Sequence, residues 1–228
     1  MIEFLFLDLD DTILDFHMQE SVAIRKTLLG AGVEPTEENC QLYSKINLRH
    51  WKMLEKGEIT REKLIWHRFA ELFDTLGVTA DPKETADRYM DNLSEGHYFL
   101  TGAEEAVKVL AKKYRLYLAS NGAGRVQVRR IASAKLAPYF ENIFISEDMG
   151  ANKPEKAYFD ACFSQIPDFD PQKAMIVGDS ISSDIRGGKN AGILTCWVNP
   201  KGKVAAPEDA PDFEIKSITE LEKLLGSL

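Results

Sequence analysis

The chain has 228 residues, of which 44% are hydrophobic and 28% charged, with a net charge of −8. This is the composition of an ordinary globular protein able to bury a core, and an acidic balance without a basic block argues against a nucleic-acid polymer as partner. No apolar run approaches the ~18 residues of a membrane span, and no basic or apolar leader precedes the first strand, so a cytoplasmic protein is expected.

A small phosphorylated substrate stays compatible with the negative charge, because a local cation cluster can outweigh a distant field. Cys40, Cys162 and Cys196 show neither a CxxC spacing nor a neighbouring His pair. They are expected as buried, reduced thiols.

In chain order, Phe4-Leu5-Phe6-Leu7 is a short continuous apolar run that leads into Asp8, Asp10 and Asp11. Continuous hydrophobicity predicts a strand buried on both faces of a parallel sheet. Carboxylates just beyond such a strand lie where open α/β sheets hold ligands. Three acids in four positions repel one another unless a cation or shared protons relieve them. The run therefore fits a metal site, a nucleophile or an acid/base pair. Turn and helix-capping roles are the plain alternative.

From His17 to Gly96 the pattern is helical throughout, with helices over Met18–Leu29, Glu37–Glu55, Thr60–Gly77 and Pro82–Leu93. Each carries apolar residues at three- and four-residue spacing, with Gly or Pro near its ends. After Gly96 helices and strands alternate. Helices over Ala103–Lys113, Arg125–Lys135, Lys156–Gln165 and near Asp184–Ala191 precede strands at Arg115–Ala119, Asn142–Ile145, Lys173–Val177 and Leu194–Val198. Such alternation means βαβ units. The expected fold is therefore α/β, a Rossmann-like parallel sheet flanked by helices, with an inserted all-helical domain. The core domain is expected over 1–16 and 97–228 and the insertion over 17–96, placed to cover the strand ends. Lys201–Pro211 reads as a polar surface segment before a last short helix at Thr219–Leu225.

Each core strand is followed by chemistry. Ser120-Asn121-Gly122 offers a hydroxyl, an amide and a flexible turn, a seat for an anion at a helix N-terminus. Lys153 stands before Pro154, read as the start of a helix, and could reach a charged centre. Asp179 follows Gly178, with Asp184 five residues on. Mg²⁺ takes one or two carboxylates plus water and a substrate phosphate, and Asp8 with Asp179 would supply such a pair from neighbouring strands. Each segment alone could be a cap or a surface residue. Together, at one edge of a parallel sheet, they point to a single site.

The order Asp8-x-Asp10-x-Thr12, Ser120-Asn121, Lys153, Gly178-Asp179 with Asp184 resembles the haloacid dehalogenase superfamily of phosphohydrolases. The helical insertion resembles that family's type I cap. The cap segment Ile46-Asn47 through Trp51, with Glu58-Ile59-Thr60-Arg61, is most similar to the bacterial pyrimidine 5′-nucleotidase group. The resemblance implies Asp8 as nucleophile, forming an aspartyl phosphate, and Mg²⁺ as cofactor. Asp8 and Asp179 would ligate the ion by side chain and Asp10 by its carbonyl, with Asp184 holding a bound water. It also implies the Asp10 side chain as acid and base, Ser120, Asn121 and Lys153 on the transferring phosphoryl group, and Thr12 fixing the loop in support.

The dehalogenase branch lacks the second Asp, because halide leaves without a proton. Asp10 thus favours a phosphate ester. The expected activity is hydrolysis of a nucleoside monophosphate. The alternatives are a phosphoglycolate or sugar-phosphate phosphatase, and beyond these a phosphomutase, a 2-haloacid dehalogenase or a non-catalytic binding protein. Asn47 and Trp51, four apart on one helical face, are candidates to read and stack a base, with packing inside the cap as the plain alternative for Trp51. The expected partner is a small phosphorylated metabolite, and the chain a monomer or homodimer.

Overall fold

Phe4–Leu7 (β1) is buried on both faces, and its side chains alternate between two cores. Phe4 and Phe6 join an aromatic-rich layer, whereas Leu5 and Leu7 join an aliphatic one. This follows from the two-residue period of a strand and accounts for the uninterrupted apolar run. Around β1 lie β2 (Arg115–Ser120), β3 (Asn142–Ile145), β4 (Ala174–Gly178), β5 (Leu194–Val198) and β6 (Phe213–Ile215). The order is β3-β2-β1-β4-β5-β6 and every pairing is parallel. The strand order reverses between β1 and β4, and that crevice is where open α/β sheets bind ligands.

The computed structural model describes residues 1–228. The chain divides into two compact units, Met1–Asp15 with His97–Leu228, and Phe16–Gly96. The second unit is entirely helical: α1 (Phe16–Gly30), α2 (Glu37–Glu55), α3 (Arg61–Leu76) and α4 (Pro82–Ser94). Three of these starts are capped by side chains. Thr36 accepts from the Asn39 amide, Thr60 from Lys63, and Asp81 from both Lys83 and Glu84. Each such cap contributes about 1 kcal/mol. Inside the unit Tyr43, Phe69 and Tyr89 form a ring cluster with centroids 5.1–5.5 Å apart.

The sheet is flanked by α5 (Ala103–Leu110), α6 (Gly124–Ser133), α7 (Ser146–Met149), α8 (Lys156–Phe163), α9 (Arg186–Ala191) and α10 (Leu221–Leu225). α5, α6 and α10 supply the aliphatic core, and α8 supplies Tyr158, Phe159 and Cys162 to the aromatic one. The three cysteines are buried and free, as expected from their spacing. No helix is long and apolar enough to cross a membrane.

Several expected boundaries move. Pro154 does not open a helix; α8 begins at Lys156, and Lys153 stands in the preceding turn, where the Glu155 amide donates to the Asn152 carbonyl. The helix expected near Asp184 starts earlier, as a π-helical turn over Ile181–Ile185 that runs into α9. β6 was not foreseen, because three residues on a sheet edge are too short to show alternation.

Candidate active site

The loop after β1 is shaped by its own backbone. Leu9 O accepts from the Ile13 and Leu14 amides, and Leu14 O accepts from Asp11, whose φ is 57°. Leu9, Ile13 and Leu14 are buried in the aliphatic core. Thr12 is buried too, but its hydroxyl makes no hydrogen bond within the protein. The expectation that Thr12 ties the loop by hydrogen bonds is therefore corrected: the loop amides and the buried apolar side chains do so.

Asp8 leaves β1 with its amide bonded to Val177 O at 2.9 Å, which pins it to β4. Lys153 Nζ reaches it from the far loop and donates to Asp8 Oδ1 at 2.7 Å, Asp184 Oδ1 at 2.6 Å and Ala119 O at 2.6 Å. Lys153 is 1% exposed, and three acceptors match the three donors of an ammonium. Asn121 positions that lysine. Its Oδ1 accepts from the Lys153 amide at 2.9 Å and its Nδ2 donates to the Lys153 carbonyl at 2.8 Å. The Asn121 side chain thus holds a loop.

Asp179 follows β4, and its carbonyl accepts from Trp197 Nε1 on β5 at 2.8 Å. Asp184 Oδ2 accepts from the Ser180 amide at 3.0 Å. Gly178 permits this approach, since a Cβ there would lie 2.2 Å from Asp184 Oδ2. Asp8, Asp179 and Asp184 offer carboxylate oxygens within 4.8 Å of one another. Asp184, whose two oxygens accept from Lys153 Nζ and the Ser180 amide, is the third member of this carboxylate group.

Three carboxylates against one ammonium leave excess negative charge in a buried place. Burial is the largest influence on Asp8 and pushes its carboxyl up; Lys153 opposes this, Asp184 and Asp10 add to it, and the value settles at about 8. Burial, then Asp8 and Asp184, push Asp179 up to about 9. Burial also works against the Lys153 charge, but Asp184 and Asp8 outweigh it and hold the ammonium above its usual range. An all-oxygen, over-negative, two-strand site is the donor set that suits a hard divalent cation such as Mg²⁺.

Asp10 stands apart from the cation group. Arg130 Nη1 donates to its Oδ1 at 2.5 Å and Gln127 Nε2 to its Oδ2 at 2.7 Å. Ser120 Oγ accepts from Gln127 Nε2 at 2.8 Å and from the Gly122 amide at 3.1 Å. Gln127, Arg130 and Trp197 are site residues that the sequence reading missed. Gln127 and Arg130 stand three apart on α6, polar residues on the same buried side as Val126 and Ile131. A polar pair within the apolar stripe of an amphipathic helix is the signal that could have found them.

The two residues expected to set specificity lie in the helical unit. Asn47 is buried, with Nδ2 donating to Glu20 Oε1 at 2.6 Å and Oδ1 accepting from Arg68 Nη1 at 2.7 Å. Both ends of its carboxamide are engaged inside the unit, so the expectation that it reads a base edge is corrected. Trp51 is half-buried, with the Arg61 guanidinium 5.5 Å from its ring centre.

Comparison with known proteins gives the chain's family. The family model for haloacid dehalogenase-like hydrolases matches residues 5–198. The chain belongs to the haloacid dehalogenase-like hydrolase family, and within it is a phosphohydrolase. It is 38% identical to YfnB of Bacillus subtilis, named as a HAD-hydrolase, over 97% of this chain and 94% of that one. It is 36% identical to the pyrimidine 5′-nucleotidase PynA of Streptococcus pneumoniae, covering 96% and 93% of the two chains. The pyrimidine 5′-nucleotidase YjjG of Escherichia coli is 30% identical over 98% and 97%. The crystal structure of YfnB, bound to magnesium and described as revealing interdomain movement, superposes with a TM-score of 0.94 over 98% of each chain at 37% identity.

Proposed function

We propose that this protein is a Mg²⁺-dependent phosphomonoester hydrolase that works through an aspartyl phosphate on Asp8, with a pyrimidine nucleoside 5′-monophosphate as substrate. The observation that carries this reading is the buried Asp8 carboxylate, held by Lys153 and facing Asp179 and Asp184 at the sheet's switch point. The nucleotide preference rests on the names of PynA and YjjG. The helical unit Phe16–Gly96 serves, in this reading, as the cap that selects substrate.

Asp8 Oδ attacks phosphorus, and the bond to the leaving oxygen breaks as the new O–P bond forms. Asp10 gives its proton to the leaving oxygen, then takes one from the water that hydrolyses the acyl phosphate, releasing phosphate and restoring Asp8. Ser120 donates to a phosphoryl oxygen, and Lys153 neutralises charge on Asp8 and the transferring group. Asp8, Asp179 and the Asp10 carbonyl, with Asp184 beside them, would hold Mg²⁺, which would supply the charge neutralisation that an anion needs to approach an anion.

Phosphate release from nucleoside monophosphates, sugar phosphates and phosphoglycolate, with Mg²⁺ and with EDTA, tests the proposal. The highest kcat/KM is expected on a pyrimidine nucleoside monophosphate, with turnover lost in EDTA. Preference for phosphoglycolate or a sugar phosphate would move the substrate assignment, and inertness toward every ester would overturn the function.

The cation also has a signature apart from activity. Asp8 and Asp179 carry folded-state values of about 8 and about 9, above the ordinary ~4 of an unfolded Asp. The cation-free fold therefore binds more protons than the unfolded chain between those limits. Stability from these groups is full below pH ~4 and is lost as pH rises through 8 to 9. Mg²⁺ displaces these protons, so about one to two should be released per ion bound near pH 6.5. The rise in Tm on adding Mg²⁺ should grow from pH 6 to pH 9. A pH-independent rise would contradict this cation site.

Trp51 offers a test of base recognition. Trp51→Ala is expected to raise KM about tenfold for a nucleotide and to leave KM for p-nitrophenyl phosphate within about twofold, since a stacked base contributes about 1–3 kcal/mol. Equal effects on both substrates would assign Trp51 to packing with Arg61.

A further inference from the structure

We infer that Arg130 and Gln127 are positioning residues that set the hydrogen-bond polarity of the phosphate seat, leaving Ser120 able only to donate and holding Asp10 beside it. The inference rests on the phosphatase reading above and adds two residues to it. Arginine has only donors. Arg130 Nη1 donates to Gln127 Oε1 at 2.9 Å as well as to Asp10 Oδ1 at 2.5 Å. That contact decides which end of the Gln127 carboxamide is oxygen, so the other end is the NH₂ group with two hydrogens. One of these goes to Ser120 Oγ at 2.8 Å and the other to Asp10 Oδ2 at 2.7 Å.

The consequence falls on Ser120. A hydroxyl has two lone pairs and one hydrogen. Gln127 Nε2 and the Gly122 amide fill both acceptor positions. The hydrogen is the remaining capacity, and an anion oxygen is its natural acceptor. Without Gln127 the serine could rotate and present a lone pair to that anion. The same amide fixes Asp10, whose two oxygens each receive a donor while 27% of the side chain stays exposed.

The chain around Gln127 is built to keep it there. Gln127 is 1% exposed. A Cβ at Gly122 would lie 2.2 Å from Gln127 Nε2 and 2.4 Å from its Cδ. The glycine therefore makes room for the glutamine as well as for the turn. Arg130 is fully buried, as a residue acting on neighbouring side chains and not on solvent would be.

Leaving-group dependence tests the inference. The value of kcat/KM would be measured for p-nitrophenyl phosphate, whose leaving group needs little protonation, and for the alkyl phosphate that the wild type hydrolyses best. Gln127→Ala should lower kcat/KM about 10²–10³-fold on the alkyl ester but only about tenfold on p-nitrophenyl phosphate, because acid assistance counts only for the poor leaving group. The inhibition constant of orthovanadate should rise about tenfold from the loss of an oriented donor. Gln127→Glu, of the same shape but without donors, should show the same split if the alanine variant folds poorly. Arg130→Lys, which keeps a donor for both acceptors, should lie closer to wild type than Arg130→Met. Equal losses on the two esters, or no rescue by lysine, would overturn the inference while leaving the phosphatase reading intact. A wild type inert toward both esters would overturn both.

Discussion

Asp8→Asn is expected to lower kcat by about 10⁴-fold or more while the protein stays folded, the scale seen when a nucleophile is removed and binding groups are left in place. An amide of the same shape cannot form the acyl phosphate. The fold should tolerate the change because Lys153 keeps Asp184 at 2.6 Å and Ala119 O at 2.6 Å. The substitution also removes one of the buried carboxylates that push Asp179 up. In cation-free protein at pH 8, Tm of the variant should therefore be no lower than that of the wild type, and the gain in Tm from Mg²⁺ should shrink. Steady-state kinetics with differential scanning calorimetry checks both. Turnover above about one per cent of wild type would place the nucleophile elsewhere.

Lys153→Met should show the opposite balance, with a large loss of stability beside the loss of activity. Its ammonium is the one positive charge bonded to both Asp8 and Asp184. Removing one partner of a buried ion pair costs about 3–5 kcal/mol, because the charge left behind is uncompensated. For a chain of this size that is a fall in Tm of about 6–20 °C. The loss of kcat is expected at about 10²–10³-fold, the usual effect of removing one electrostatic stabiliser. Mg²⁺ should restore part of the lost Tm, since it can neutralise the same carboxylates. A change in Tm below about 2 °C would mean that Asp8 and Asp184 are not the charge pair of Lys153 in solution.

Together these two variants separate the roles that the geometry joins. Under the proposed function Asp8 carries the chemistry at a cost in stability, since burial pushes its carboxyl up to about 8. Lys153 serves both ends. Its position depends in turn on Asn121, whose carboxamide grips the Lys153 backbone on both sides. Asn121→Ala should therefore act chiefly by letting Lys153 drift, lowering kcat without the full stability loss of Lys153→Met.

Much of this was legible in one dimension because parallel sheets impose a simple code. A strand buried on both faces must read as an apolar run, and the residue that follows it must emerge at one edge. Asp8 after Phe4–Leu7 and Asp179 after Ala174–Gly178 are read in this way. The helical insertion was legible for a similar reason, since four amphipathic stretches bounded by Gly, Pro and capping Thr or Asp leave no strand period. Short or edge features were not. β6 has three residues, and the π-helical turn before α9 has no period of its own.

What sequence alone determined was the set of strand-end groups and the order in which they come: Asp8, Asp10, Ser120, Lys153, Asp179 and Asp184. Local hydrophobic period and turn chemistry are enough for that, because they act over a few neighbours. Which of these groups touch was decided only by tertiary structure. Asp10 turned from the other carboxylates to Gln127 and Arg130, 117 and 120 residues away in sequence, and Asn47 turned inward to Glu20 and Arg68. Long polar side chains have many rotamers, and only the packed interior, where an unpartnered buried donor or acceptor is costly, selects among them.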